Sequence, residues 1–185
     1  MTGPRTKLLL LAALFAAPIT ASILAYKFME PRPTANYGEL LSPPATLPAQ
    51  EFSTPEGKRF SFAELAGKWM IVASDSGECA DACQLKLVTI RQVRLALGRN
   101  APRIERIFVV DDLKRPDAAM LAQLNGMAVA LTPPGMSLAP GVTRDRAHIY
   151  LVDPRGNVMM RWPAAVDGKR MLGDLQRLLK ASQIG

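Results

Sequence analysis

Leu8 to Tyr26 carries no charged residue and is almost wholly apolar. The run matches the about 20 residues that a helix needs to cross a bilayer core. It divides the chain into a membrane-embedded helix and a domain tethered to it. Arg5 and Lys7 precede the run, and Lys27 follows it. A cleaved signal peptide has a shorter apolar core ending at a small-residue site. Thr20-Ala21-Ser22 could serve as such a site, but the apolar run continues through Leu24 to Tyr26, which favours an uncleaved anchor. Pro18 is compatible with a spanning helix. The positive-inside bias keeps residues 1–7 cytoplasmic, and a long C-terminal domain is translocated largely regardless of its charge. With no Arg- and Ser-rich amphipathic leader, the expected place is a bacterial inner membrane with the domain in the periplasm. Residues 8–26 are then the anchor and 47–185 the folded domain. Between them, 27–46 reads as a semi-extended spacer, because Pro31, Pro33, Pro43 and Pro44 oppose helix and central strand.

The net charge of +7 is scattered as single Lys and Arg residues, and only 6% of the residues are aromatic. With no basic block interleaved with aromatics, a nucleic-acid partner is not expected. The membrane is the expected partner, and the basic excess is an ordinary solvated exterior or faces an anionic membrane surface.

The domain alternates strand and helix signals. Phe52 to Phe62 suggests a hairpin turning at Glu56-Gly57, and Ser61 with Glu64 suggests a capping box for one helical turn. Trp69 to Ser74 reads as a buried strand, followed by the polar turn Asp75 to Glu78 and a helix from about Ala80 to Gly98. Its apolar stripe is Leu87, Ile90, Val93, Leu95 and Leu97. Ile104 to Val110 and Met127 to Leu131 are strands around a helix over Asp117 to Leu124, and a Pro- and Gly-rich loop covers 132–141. His148 to Val152 and Val158 to Trp162 form a hairpin across Asp153-Pro154-Arg155-Gly156-Asn157. Lys169 to Ser182 closes the chain as an amphipathic helix with Met171, Leu172, Leu175, Leu178 and Leu179 inward. This order predicts an α/β sandwich with a mixed central sheet and helices on both faces.

The chain has two cysteines and one histidine. Cys79 and Cys83 are four residues apart, so on a helix they share a face and can close on each other or on one soft metal ion. They fall between a central strand and the next helix, where a helix N-terminus stabilises a thiolate. A redox dithiol would use Cys79, the helix-start sulfur expected to be more exposed, as nucleophile and Cys83 as resolving thiol. A structural disulfide is the plain alternative. His148 completes a Cys2His set if the fold brings it to the cysteines, and otherwise is an ordinary polar residue at a strand entrance. Asp75, Glu78 and Asp111-Asp112 read as turn and loop residues, and Met159-Met160 as core packing rather than soft donors.

Several of these pieces occur together in one family. The N-terminal anchor, Gly67-Lys68-Trp69, the strand leading to Cys79-x-x-x-Cys83, the Asp111 to Asp117 stretch with Pro116, and Ile149-Tyr150-Leu151-Val152-Asp153-Pro154-Arg155-Gly156 resemble the Sco/SenC family. Those are membrane-anchored, thioredoxin-like copper chaperones of cytochrome c oxidase assembly. The resemblance runs from about Leu47 onward and implies a thioredoxin-like sandwich. It implies one copper ion per chain held by Cys79, Cys83 and a histidine, and as partner a cytochrome c oxidase subunit or another copper or thiol assembly protein. The family places that histidine four residues before the isoleucine of Ile-Tyr-Leu, where this chain has Asp145; His148 stands three residues later. Gln84 replaces a proline common after the second cysteine. The other reading left open by these departures is a membrane-anchored thiol–disulfide oxidoreductase that binds no copper.

Overall fold

The computed structural model describes residues 3–28, 36–47, 49–134, 141–182 and 184. Two units are present, Met1–Ala35 and Asn36–Gly185. The first is the helix α1, Pro4–Phe28, with Pro18 inside it. Within it, Pro4–Ala25 is long and apolar enough to cross a membrane, with a mean hydropathy of 2.3. Pro31 and Pro33 of the expected spacer, and most of the loop expected over 132–141, lie outside the described residues.

The second unit is organised by its central strand, β4. The order of its elements is β1 (Glu39–Thr46), β2 (Glu51–Ser53), β3 (Arg59–Ser61), β4 (Trp69–Asp75), α2 (Asp81–Ala96), β5 (Ile104–Val110), α3 (Ala118–Gln123), β6 (Ala128–Leu131), β7 (His148–Val152), β8 (Asn157–Pro163) and α4 (Gly168–Ala181). They build one mixed sheet in the order β1-β8-β7-β4-β5-β6-β2-β3. β4 runs parallel to β5 and β5 to β6, as a strand-helix-strand crossover requires, while β7 and β8 return antiparallel.

Alternation along these strands separates two cores. Trp69, Ile71 and Ala73 of β4, Ile104 and Phe108 of β5, and Ile149 and Leu151 of β7 face one side. There they meet Leu87, Ile90 and Val93 of α2 and Met171, Leu175 and Leu179 of α4. Met70, Val72, Ile107, Val109, Tyr150 and Val152 face the other side. The helical cover is unequal. Helices α2, α3 and α4 all pack on the first face, while the second is covered by Phe52 and Phe60 of the β2–β3 hairpin, Val142, and one 3₁₀ turn at Phe62–Leu65. At the start of that turn Glu64 Oε1 accepts from Ser61 N at 2.7 Å. Leu95 leaves the α2 stripe and is exposed.

The residues predicted to be a spacer over 27–46 end in a strand. β1 pairs antiparallel with β8, with a register shift between Leu40 and Ala45. Pro43 and Pro44 lie within it, and the Ser42–Pro43 bond is cis. Proline opposes a central strand, but β1 is the outermost strand of the sheet, where a missing N–H and a bulge are tolerated. The segment entering β1 is clasped by Asp174 of α4. That carboxylate is 3% exposed and accepts from Tyr37 N, Gly38 N, Trp162 Nε1 and Arg177 Nη2 at 2.8–3.0 Å.

Burial raises the Asp174 pKa, but the bonds from Trp162, Gly38, Tyr37 and Arg177 outweigh it and hold the group below its ordinary 3.8. Its contribution is therefore complete above the unfolded value and is lost as pH falls through the lower folded value. Asp174→Asn should cost about 2 kcal/mol, a Tm loss of roughly 4–8 °C at neutral pH. Thermal melts should show this gap closing below about pH 4.

Candidate dithiol site

Cys79 and Cys83 are joined in a disulfide, with their Cα atoms 5.1 Å apart. They do not share a helix. Cys79 lies before α2 at φ 38°, and Cys83 stands in the first turn. A left-handed conformation in a non-glycine residue is strained, and here it falls in the loop that carries the disulfide. Ala80, at the N-cap, offers no side-chain acceptor to the first-turn N–H groups. Those groups and the helix dipole therefore act on Cys83, the sulfur inside the first turn.

The expectation that Cys79 is the more exposed sulfur is overturned. Cys79 is 0% exposed and Cys83 3%. The loop holds them down. Cys79 N donates to Ser76 O at 3.0 Å, and Gln84 Nε2 donates to Cys79 O at 3.1 Å. Gly77 N donates to Asp112 Oδ1 at 3.1 Å, and the same oxygen accepts from Lys114 N. For Asp112, burial raises the pKa, but hydrogen bonds from Ser76, Gly77 and Lys114 outweigh it and the group is lowered. Gly77 is pressed against the neighbouring loop, so that a Cβ there would stand 1.9 Å from Lys114 O.

Beneath the site lies Lys86, which is 2% exposed. Its Nζ donates to Asp75 Oδ2 at 2.7 Å, Ser74 O at 2.9 Å and Arg146 O at 3.3 Å. Asp75 thus neutralises a buried ammonium rather than facing solvent, while Glu78 pairs with Lys114 at 2.7 Å. Sequence reasoning missed Lys86. The available signal was its place on the inward stripe of α2, among Cys83, Leu87 and Ile90.

His148 does not join the cysteines. It precedes Ile149 in β7, and Ile149 and Leu151 share the cysteines' core, so His148 falls with Tyr150 on the opposite face of the sheet. Its ring centroid is 6.2 Å from that of Tyr150, and its Nδ1 is 2.7 Å from Asp145 Oδ2. Tyr150 Oη donates to the same oxygen at 2.5 Å. Burial, and then the bond to Asp145, push the Tyr150 pKa up to about 12. Burial raises Asp145, but the bonds from Tyr150, His148 and Ala147 N outweigh it and hold the carboxyl low. Among the described residues, no three His, Cys, Asp or Glu side chains converge where they could hold a metal ion. The expected Cys79, Cys83 and His148 copper set does not fit this arrangement.

A family model described as transmembrane-like, thioredoxin-like, C-terminal domain matches residues 69–182. The chain belongs to this family. The match spans the sheet from β4 through α4 and includes both cysteines. No curated protein matches the sequence. Among solved structures, the thioredoxin-like domain is similar to Bradyrhizobium japonicum ScoI with copper bound, at 22% identity and a TM-score of 0.57, covering 72% of this chain and 99% of that one. It is similar to yeast Sco1 at 17% identity and a TM-score of 0.63, covering 76% and 97%. The thioredoxin domain of a thiol-disulfide oxidoreductase from Bacteroides vulgatus is similar at 16% identity and a TM-score of 0.52, covering 72% and 95%. At these identities what is shared is the fold.

Gly77→Ala should force the cysteine loop away from Lys114 and destabilise the domain by about 2 kcal/mol. Thermal melts should show the loss, and dithiothreitol should reduce the loosened Cys79–Cys83 bond faster than in the parent.

Proposed function

We propose that this chain is a membrane-anchored thiol–disulfide exchange protein that serves assembly of cytochrome c oxidase from the periplasmic side of a bacterial inner membrane. The observation that carries the reading is the placement of the disulfide. It follows the loop after central strand β4 and puts Cys83 in the first turn of α2, so the thiolate released from Cys83 meets free N–H groups and the positive end of the helix dipole. A partner thiolate attacks Cys79 Sγ, the Cys79–Cys83 bond breaks, and Cys83 leaves as thiolate. A second partner thiolate then attacks the partner sulfur of the mixed disulfide and releases Cys79. The partner is oxidised by two electrons, and the domain becomes the dithiol. Because both sulfurs are buried, exchange requires the 76–80 loop to lift. The anchor, the basic residues ahead of it and the resemblance to the Sco/SenC family support the location and the assembly role.

A second reading concerns copper as cargo. The reduced pair offers two adjacent soft thiolates, which suit Cu(I), and the two similar Sco structures share this fold, one of them copper-bound. In this reading the ion is held by Cys79 and Cys83 without His148.

The full chain in detergent, equilibrated in thiol redox buffers, should give a potential between about −270 and −120 mV, the range of exchange proteins. A value below about −300 mV with inert thiols would reduce the disulfide to a structural staple and sink the proposal. Anaerobic Cu(I) titration of the reduced chain tests the cargo reading. One equivalent should bind, be lost in Cys79→Ser and in Cys83→Ser, and be unchanged in His148→Ala.

A further inference from the structure

Arg106 sits in the middle of β5, between Ile104 and Phe108 on the face packed by α2. It is 5% exposed. Its Nη2 donates to Asn125 O at 3.2 Å, and its Nε has no hydrogen-bond partner among the described residues. A buried guanidinium normally sits against a carboxylate, because an uncompensated charge in a core costs several kcal/mol. Among the described residues no carboxylate pairs with Arg106, and the ion pairs of Arg146, Arg161 and Arg177 lie elsewhere. The charged groups nearest Arg106 are mostly of its own sign. Burial, and then Arg94 and Arg91, push its pKa down, with only Glu105 opposing.

The guanidinium lines a cavity of ≈ 240 Å³ between α2 and α3, next to Cys79. Arg91 of α2 lines it as a second cation. Leu87, Met120, Leu124 and Met127 make most of its apolar wall. The volume lies below the about 300–1,000 Å³ of ordinary ligand pockets, which limits an occupant to a small molecule. Two guanidinium groups select an anion, and a planar carboxylate matches their paired N–H geometry. The thioether and leucine walls favour an apolar body over a bare inorganic ion.

We infer that this cavity binds a small monocarboxylate with a compact apolar body, its carboxylate on Arg106 and Arg91 and its body against Met120 and Met127. The site goes beyond the dithiol reading and does not rest on it. It would place an organic anion beside the disulfide whether or not that disulfide exchanges.

Benzoate serves as the probe, with benzamide as its neutral counterpart and inorganic phosphate as an anion without an apolar body. The full chain in detergent, carrying ¹³C-methyl methionine, should show saturable benzoate shifts at Met120 and Met127. Benzamide should give no saturable shift, and phosphate should bind more weakly than benzoate. Arg106→Met should weaken benzoate binding about tenfold or more. Arg91 is exposed, so Arg91→Gln keeps a usable fold even if Arg106→Met does not, and it should weaken binding by about threefold or more. Shifts that are absent, confined to other methionines or unchanged in the folded variants would overturn the site. Phosphate binding as tight as benzoate would overturn the ligand class.

Discussion

One buried charge joins the parts on which the cysteine site rests. Lys86 Nζ is surrounded by oxygens from the end of β4, from Asp75 and from the segment entering β7. Removing one partner of a buried pair of this kind costs about 3–5 kcal/mol, because the remaining charge is left without compensation. The network extends outward. Arg146, whose backbone oxygen receives Lys86, spreads its guanidinium over Asp111, with Asp75 and Asp112 close by. Hydrogen bonding to Asp111 pushes the Arg146 pKa further up. Asp112 then accepts from Gly77 N, so the loop bearing Cys79 is tied through carboxylates to the ends of β5 and β7.

The interior strands were legible because both their faces are buried. Trp69 to Ser74, Ile104 to Val110 and His148 to Val152 are short apolar runs bounded by polar turns, and each lies in the middle of the sheet. β1 was not legible, since its prolines speak against a strand until an edge position is known. Lys86 and Arg106 were missed for a related reason. Each places a charge on an inward position, and local pattern gives such a residue no partner. The partners of Lys86 come from two other segments of the chain.

The two cysteines could be located from sequence because strand and helix meet there. The histidine could not, because a strand has a two-residue period and an odd displacement changes the face. Asp145 occupies the position where the Sco/SenC pattern has histidine, and it holds both His148 and Tyr150. The polar group formed by these three is thus separated from the dithiol by the sheet itself. The disulfide lies buried in the first core, on the side of the sheet away from the imidazole.

The clasp of Asp174 on Tyr37 and Gly38 has a mechanical consequence. Among the described residues of this unit these are the first hydrogen bonds that a pull on its N-terminal end would load, and β1 beyond them pairs along the edge of the sheet. While the clasp holds, the ordered edge of this unit begins at Tyr37. If it opened and β1 peeled from β8, residues 37–46 would leave the sheet as an extended segment of roughly 35 Å. Asp174 therefore decides whether the sheet keeps β1 as its outermost strand or ends at β8.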